Sequence, residues 1–161
     1  VLTHTRSPRN LPEGVEAASL DDLLTRADIL ALCCPLTEET RGLIDAAALA
    51  RMQPGAILVN VARGPVVDEA ALLRALTGGK LAGAVLDVFT TQPLPDDHPF
   101  LTLPNVILTP HMAGITEESM LRMGQGVVNE VRRILSGAPP ENFVNPEVLS
   151  AFRARFGSEK S

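Results

Sequence analysis

Apolar residues fall along this chain in two alternating rhythms. Near-continuous apolar runs at 28–34, 56–62, 82–88 and 106–109 have the length and the Val, Leu, Ile and Ala content of buried strands. Shorter strands are predicted at 1–5 and 15–18. Between the runs stand helix starts. Ser19 is followed three residues later by Asp22, a capping-box pattern. Asp45 precedes a helix over 46–52, and Asp68 one over 69–77 that Gly78 and Gly79 end.

Thr116 opens a long helix with Glu117 and Glu118 in its first turn. Met120, Met123, Val127, Val131 and Ile134 share one stripe, and Arg132, Arg133 and Gly137 close it in accord with the helix dipole. A Pro-rich tail holds a short helix over 146–156. Strand and helix alternate, so the pattern predicts an α/β fold with a doubly wound parallel sheet covered on both faces.

Composition narrows the function classes. Apolar residues make up 45% of the 161, which excludes a disordered chain, while the net charge of −5 comes without a basic stripe. Nucleic acid is not an expected partner. No apolar stretch approaches a membrane span and no basic-then-apolar leader opens the sequence, so no membrane partner is expected and a cytoplasmic setting is. Cys33 and Cys34 are adjacent, a spacing unfavourable for a structural disulfide or a metal site. They read as small buried residues, and no metal site is expected.

Three polar residues stand where apolar runs give way to loops: Arg63, Gln92 and His111. In an open α/β sheet, ligands bind outside the carboxyl ends of the strands. Arg63 suits a bidentate grip on a carboxylate, and His111 suits proton transfer near neutrality. With Gln92 as a hydrogen-bonding orienter they form a working set for carbonyl chemistry. His98 reads as a structural loop residue, and Asp45 and Asp68 as caps. A glycine-rich phosphate turn after a first strand is missing: the Gly124-Gln125-Gly126 match lies inside a helix.

The ordered motifs Pro35-Leu36-Thr37 with Thr40, Asn60-Val61-Ala62-Arg63-Gly64, Val67-Asp68-Glu69, Asp87-Val88-Phe89, Gln92-Pro93-Leu94-Pro95 and Thr109-Pro110-His111 with Gly114 resemble the D-isomer-specific 2-hydroxyacid dehydrogenases. The resemblance runs from Val1 to about Val148. It implies a Rossmann-like sheet that begins at its second strand and lacks the central first strand and Gly-rich turn. Residues 1–112 would be the remainder of an NAD(P)-binding domain, and 113–161 a helix and tail leading to a substrate domain that is mostly absent. Such a chain is expected to be inactive and poorly folded alone.

The resemblance also implies roles. Arg63, Gln92 and His111 would be catalytic, with Gln92 where the family carries a Glu that favours the imidazolium. The Gln resembles the formate dehydrogenase branch, whereas 115–120 and 142–146 resemble the hydroxyacid enzymes. Asp87 would bond the nicotinamide carboxamide. Cys34, Pro35, Thr40, Val61, Ala62, Arg63, His111, Ala113 and Gly114 would line the cofactor. Thr5 stands where an NAD-selecting Asp is common, and Arg6 with Ser7 could hold a 2′-phosphate, so NADP is favoured over NAD. The expected activity is hydride transfer between NAD(P)H and a small 2-keto or 2-hydroxy acid such as glyoxylate or hydroxypyruvate, by a homodimer. Formate oxidation and a catalytically silent NAD(P)-sensing module are the alternatives.

Overall fold

The computed structural model describes residues 1–6 and 10–156, in two compact units, Val1–Ala113 and Gly114–Ser161. In the first unit, β1 (Leu2–Thr3) and β2 (Glu16–Ala17) form a small parallel pair. The main sheet holds β3 (Ile29–Leu32), β4 (Ala56–Asn60), β5 (Leu81–Leu86) and β6 (Val106–Leu108), all parallel and in that order. Helices α1 (Leu20–Arg26), α2 (Ala46–Arg51) and α3 (Glu69–Thr77) connect the strands. The fold is Rossmann-like.

Each helix begins where a side chain can accept from its orphan amides. Ser19 and Asp22 form the expected capping box on α1. Asp45 accepts from the Ala48 amide at 2.8 Å, and Asp68 from the Ala71 amide at 2.9 Å. Leu24 of α1, Leu49 of α2 and Leu72 of α3 meet Leu30, Leu58 and Leu86 of the sheet in one continuous core. Removing such a side chain, as in Leu58→Ala, costs about 2–5 kcal/mol.

The expectation of a sheet covered on both faces needs correcting. Burial alternates along β3 and β4, and Ile29 and Ile107 are 62% and 61% exposed. The residues of α1, α2 and α3 pack against one set of alternating strand positions, leaving the opposite set uncovered within the described residues. The same alternation corrects the reading of both cysteines as buried. Cys33 continues the Ile29 and Ala31 side and is exposed, while Cys34 is half-buried.

In the second unit, α4 (Glu117–Leu135) starts at a capping box of Thr116 and Ser119 and ends before Gly137, whose φ of 78° stops the helix. The chain folds back along the helix end. Glu130 accepts from the Glu141 and Asn142 amides, and Arg133 pairs with Glu141 at 2.8 Å. A 3₁₀ turn and α5 (Leu149–Phe156) follow. The apolar stripe of α4 is exposed within the unit. No helix among the described residues is long and apolar enough to cross a membrane.

Candidate active site

The carboxyl ends of β4, β5 and β6 lie side by side, because Asn60 pairs with Leu86 and Leu86 with Leu108 in register. At the ends of β4 and β5 a polar side chain captures a loop, the one that follows at β4 and the one after β6 at β5. At β4 that residue is Asn60, 1% exposed, whose amide oxygen accepts from the Ala62 N–H at 3.0 Å and whose amide nitrogen donates to the Arg63 carbonyl at 3.1 Å. The turn delivers Arg63 to the surface, where its guanidinium donates back to the Ala62 carbonyl at 2.6 Å.

Gly64 follows at a contact only glycine tolerates. A Cβ there would lie 2.0 Å from the Phe89 carbonyl carbon, so the loop after Arg63 packs directly on the segment leading to Gln92. Glu69 at the start of α3 accepts from the Thr90 amide at 2.6 Å and holds that segment from the other side.

At β5 the capturing residue is Asp87, 2% exposed. Its carboxylate accepts from the Thr109 hydroxyl at 2.5 Å, the Met112 amide at 2.8 Å and the Ala113 amide at 2.9 Å. Desolvation by burial is the largest single influence on this group and opposes its charge. The Thr109 hydroxyl, the Ala113 and Met112 amides and the nearby His111 ring together outweigh it and hold the carboxyl below its ordinary value. The loop so clamped carries His111 in the left-handed region, at φ 58°. For a non-glycine residue that conformation costs about 1–2 kcal/mol, which the clamp offsets.

His111 meets Gln92. The ring Nδ1 lies 3.1 Å from the Gln92 amide oxygen. That oxygen only accepts, so Nδ1 carries the hydrogen and Nε2 is left to exchange a proton with a ligand. Of the three sequence-nominated catalytic residues, the structure joins Gln92 and His111 directly. It sets Arg63 at the end of the same sheet, with no hydrogen bond to either among the described residues.

The nominated cofactor residues divide. Arg6, Cys34, Pro35 and Thr40 line one cavity of about 780 Å³, between the β1 and β3 segments, with Thr5 beside them. Thr40 also closes its own loop, donating to the Pro35 carbonyl at 2.6 Å and accepting from the Thr37 amide at 2.8 Å. Val61, Ala62, Arg63, Asp87, His111 and Ala113 gather instead at the ends of β4, β5 and β6. Ser7 lies outside the described residues, and Gly114 opens the second unit, where its carbonyl accepts from the Ser119 hydroxyl.

His98, read from sequence as a structural loop residue, accepts from the Phe100 amide at 3.3 Å. His4, given no role from sequence, bonds the Ala18 carbonyl at 3.1 Å and ties β1 to the end of β2. Sequence reasoning missed the bonds made by Asn60 and the loop clamp made by Asp87. The available signal was a polar residue inside an otherwise apolar run, one or two positions short of its end.

A parallel sheet whose strand ends carry a cation and an oriented imidazole, with a cavity beside it between β1 and β3, has the form of a Rossmann-type nucleotide-binding sheet. The chain belongs to the D-isomer specific 2-hydroxyacid dehydrogenase family, whose NAD binding domain matches residues 1–113.

It is 45% identical over 152 residues to glyoxylate/hydroxypyruvate reductase B of Yersinia pestis, covering 92% of this chain and 47% of that protein. The chain thus spans about half the length of the curated relatives it matches. A D-isomer specific 2-hydroxyacid dehydrogenase from Xanthobacter autotrophicus, solved with NADPH and MES, is 43% identical with a TM-score of 0.78, over 91% of this chain and 61% of that one. The NADPH-dependent glyoxylate/hydroxypyruvate reductase of Sinorhizobium meliloti, solved with NADP and sulfate, is 36% identical with a TM-score of 0.78, over 89% and 47%.

Proposed function

We propose that the intact protein transfers hydride between NAD(P)H and a small 2-keto acid of the glyoxylate or hydroxypyruvate kind. The observation that carries this reading is the His111–Gln92 hydrogen bond at a strand end next but one to that bearing Arg63. The Arg63 guanidinium would hold the substrate carboxylate and polarise the neighbouring carbonyl. His111 Nε2 would give a proton to the carbonyl oxygen in reduction and take it from the hydroxyl in oxidation. Gln92 keeps the ring in the tautomer that frees Nε2, and Asp87 keeps the loop in place. The nicotinamide ring, when bound, supplies or accepts the hydride at the substrate's C2.

The cavity of about 780 Å³ between β1 and β3 would take the cofactor, and Arg6 in its lining suits a 2′-phosphate, which supports NADP over NAD. The Val1–Ala113 unit is read as the remainder of the cofactor domain and the rest as the bridge to the substrate domain. A cytoplasmic homodimer completes the reading, and the mass of the intact protein in solution checks the dimer.

Formate oxidation is the second reading, favoured by the amide at Gln92, since hydride leaves formate without a proton being taken from oxygen. The test is cofactor turnover by the intact protein with glyoxylate, hydroxypyruvate and pyruvate in one direction and formate in the other. Ketoacid reduction, lost in Arg63→Gln, is the expected result. Turnover with formate alone replaces the first reading with the second. Micromolar cofactor binding without any turnover points to a sensing module.

A further inference from the structure

Among the described residues, two polar side chains are buried, Asn60 and Asp87. Asp87 is accounted for by the His111 loop. Asn60 lies one strand over, and its carbonyl accepts the Asp87 amide at 3.0 Å, so the two strand ends are tied together. We infer that Asn60 is a positioning residue that sets the orientation of Arg63 toward the substrate carboxylate, an inference that rests on the ketoacid reading above.

The geometry is specific to this side chain. Asn60 Oδ1 holds the Ala62 N–H at 3.0 Å, which fixes the Val61–Ala62 peptide plane, one residue ahead of Arg63. The carbonyl of Ala62 in turn receives the Arg63 Nη1 at 2.6 Å. Past Arg63, Asn60 Nδ2 holds the Arg63 carbonyl at 3.1 Å and with it the Arg63–Gly64 peptide. One amide therefore pins both ends of the Ala62–Arg63 segment, within which the Ala62 carbonyl receives the guanidinium. Only Asn supplies an acceptor and a donor at this reach. An Asp would keep the Ala62 bond but place an oxygen against the Arg63 carbonyl. A Ser would put both functions on one shorter-reaching oxygen, which cannot hold both groups at this spacing.

A guanidinium displaced by such a change still carries its charge but meets the carboxylate off its bidentate axis. The loss should therefore appear in ketoacid binding and leave cofactor binding alone. Asn60→Ser and Asn60→Asp in the intact protein test this. The expected result is a rise in the KM for glyoxylate of roughly tenfold or more, with the KM for NADPH unchanged. Because Asn60 acts through Arg63, combining either variant with Arg63→Lys should produce less than the product of the separate effects.

Equal losses for ketoacid and NADPH, or strict additivity with Arg63→Lys, overturn the inference and leave Asn60 a structural residue. Amide exchange separates this result from failure of the functional reading. If the wild-type protein reduces no ketoacid, faster exchange at Ala62 in Asn60→Ser, with Met112 and Ala113 unchanged, still supports the Arg63 turn assignment. Unchanged exchange at Ala62 overturns it.

Discussion

Replacing Asp87 by Asn removes a charge from a buried site without changing its shape. The retained oxygen can still accept from the Thr109 hydroxyl and the Met112 amide. The new NH₂ group, however, faces the Ala113 N–H, donor against donor, where the carboxylate accepted at 2.9 Å. One lost bond, an unsatisfied buried donor and the weakening of two charge-assisted bonds amount to about 2–3 kcal/mol. For an intact protein in the size range of the matched relatives, that corresponds to a fall in Tm of roughly 3–5 °C. His111, no longer clamped at φ 58°, should relax, so kcat for ketoacid reduction falls as well.

The pH dependence fixes the sign. Hydrogen bonding holds the Asp87 carboxyl below its ordinary value, so its stabilisation is complete above the unfolded carboxylate range, about pH 4, and is lost as pH falls through the lower, folded-state value. Thermal melts of wild type and Asp87→Asn from pH 3 to 8 should show a constant gap near neutrality that closes in acid. A gap that persists unchanged to pH 3 would falsify the charge argument, and no gap at pH 7 would remove the clamp from the stability of the loop. The split of kinetic constants decides a second point. If Asp87 acts chiefly on the nicotinamide carboxamide, the KM for NADPH rises and melting is unaffected.

Three other outcomes follow from the site. Gln92→Glu places a carboxylate 3.1 Å from the His111 ring, so the limb of ketoacid reduction that falls with rising pH should move upward; an identical profile takes Gln92 out of the proton step. Arg6→Gln should lower the preference for NADPH over NADH by about tenfold, the scale of one charge-assisted phosphate contact, and an unchanged ratio returns Arg6 to an ordinary surface turn. The 161-residue chain by itself should melt broadly and bind a hydrophobic dye, because β1 and β3 line an open cavity and Ile29 and Ile107 are exposed; a single sharp transition with a large enthalpy refutes this.

Helix starts were legible because they depend on neighbours three residues apart: Ser19 with Asp22, Asp45 with Ala48, Asp68 with Ala71 and Thr116 with Ser119 all behave as their spacing indicates. The strands were legible as apolar runs, but their ends were not. The runs at 56–62 and 82–88 read as strand to their last residue, whereas β4 stops at Asn60 and β5 at Leu86. At those ends a buried side chain bonds a loop, the following one for Asn60 and the one after β6 for Asp87, and periodicity carries no mark of that.

Coverage of the sheet was misjudged for a related reason. An apolar run shows that both faces suit burial, not that this stretch of chain supplies both covers.

The candidate catalytic residues were found because strand ends in a parallel sheet converge whatever the loops do. Their support was hidden because Asp87 reaches Met112 across 25 positions and Thr90 reaches Glu69 across 21. A residue that touches substrate must be of a reactive type and stands out. A residue that orients it need only be polar, buried and placed by the fold, which is why Asn60 looks unremarkable in sequence and becomes legible only once β4 and β5 lie side by side.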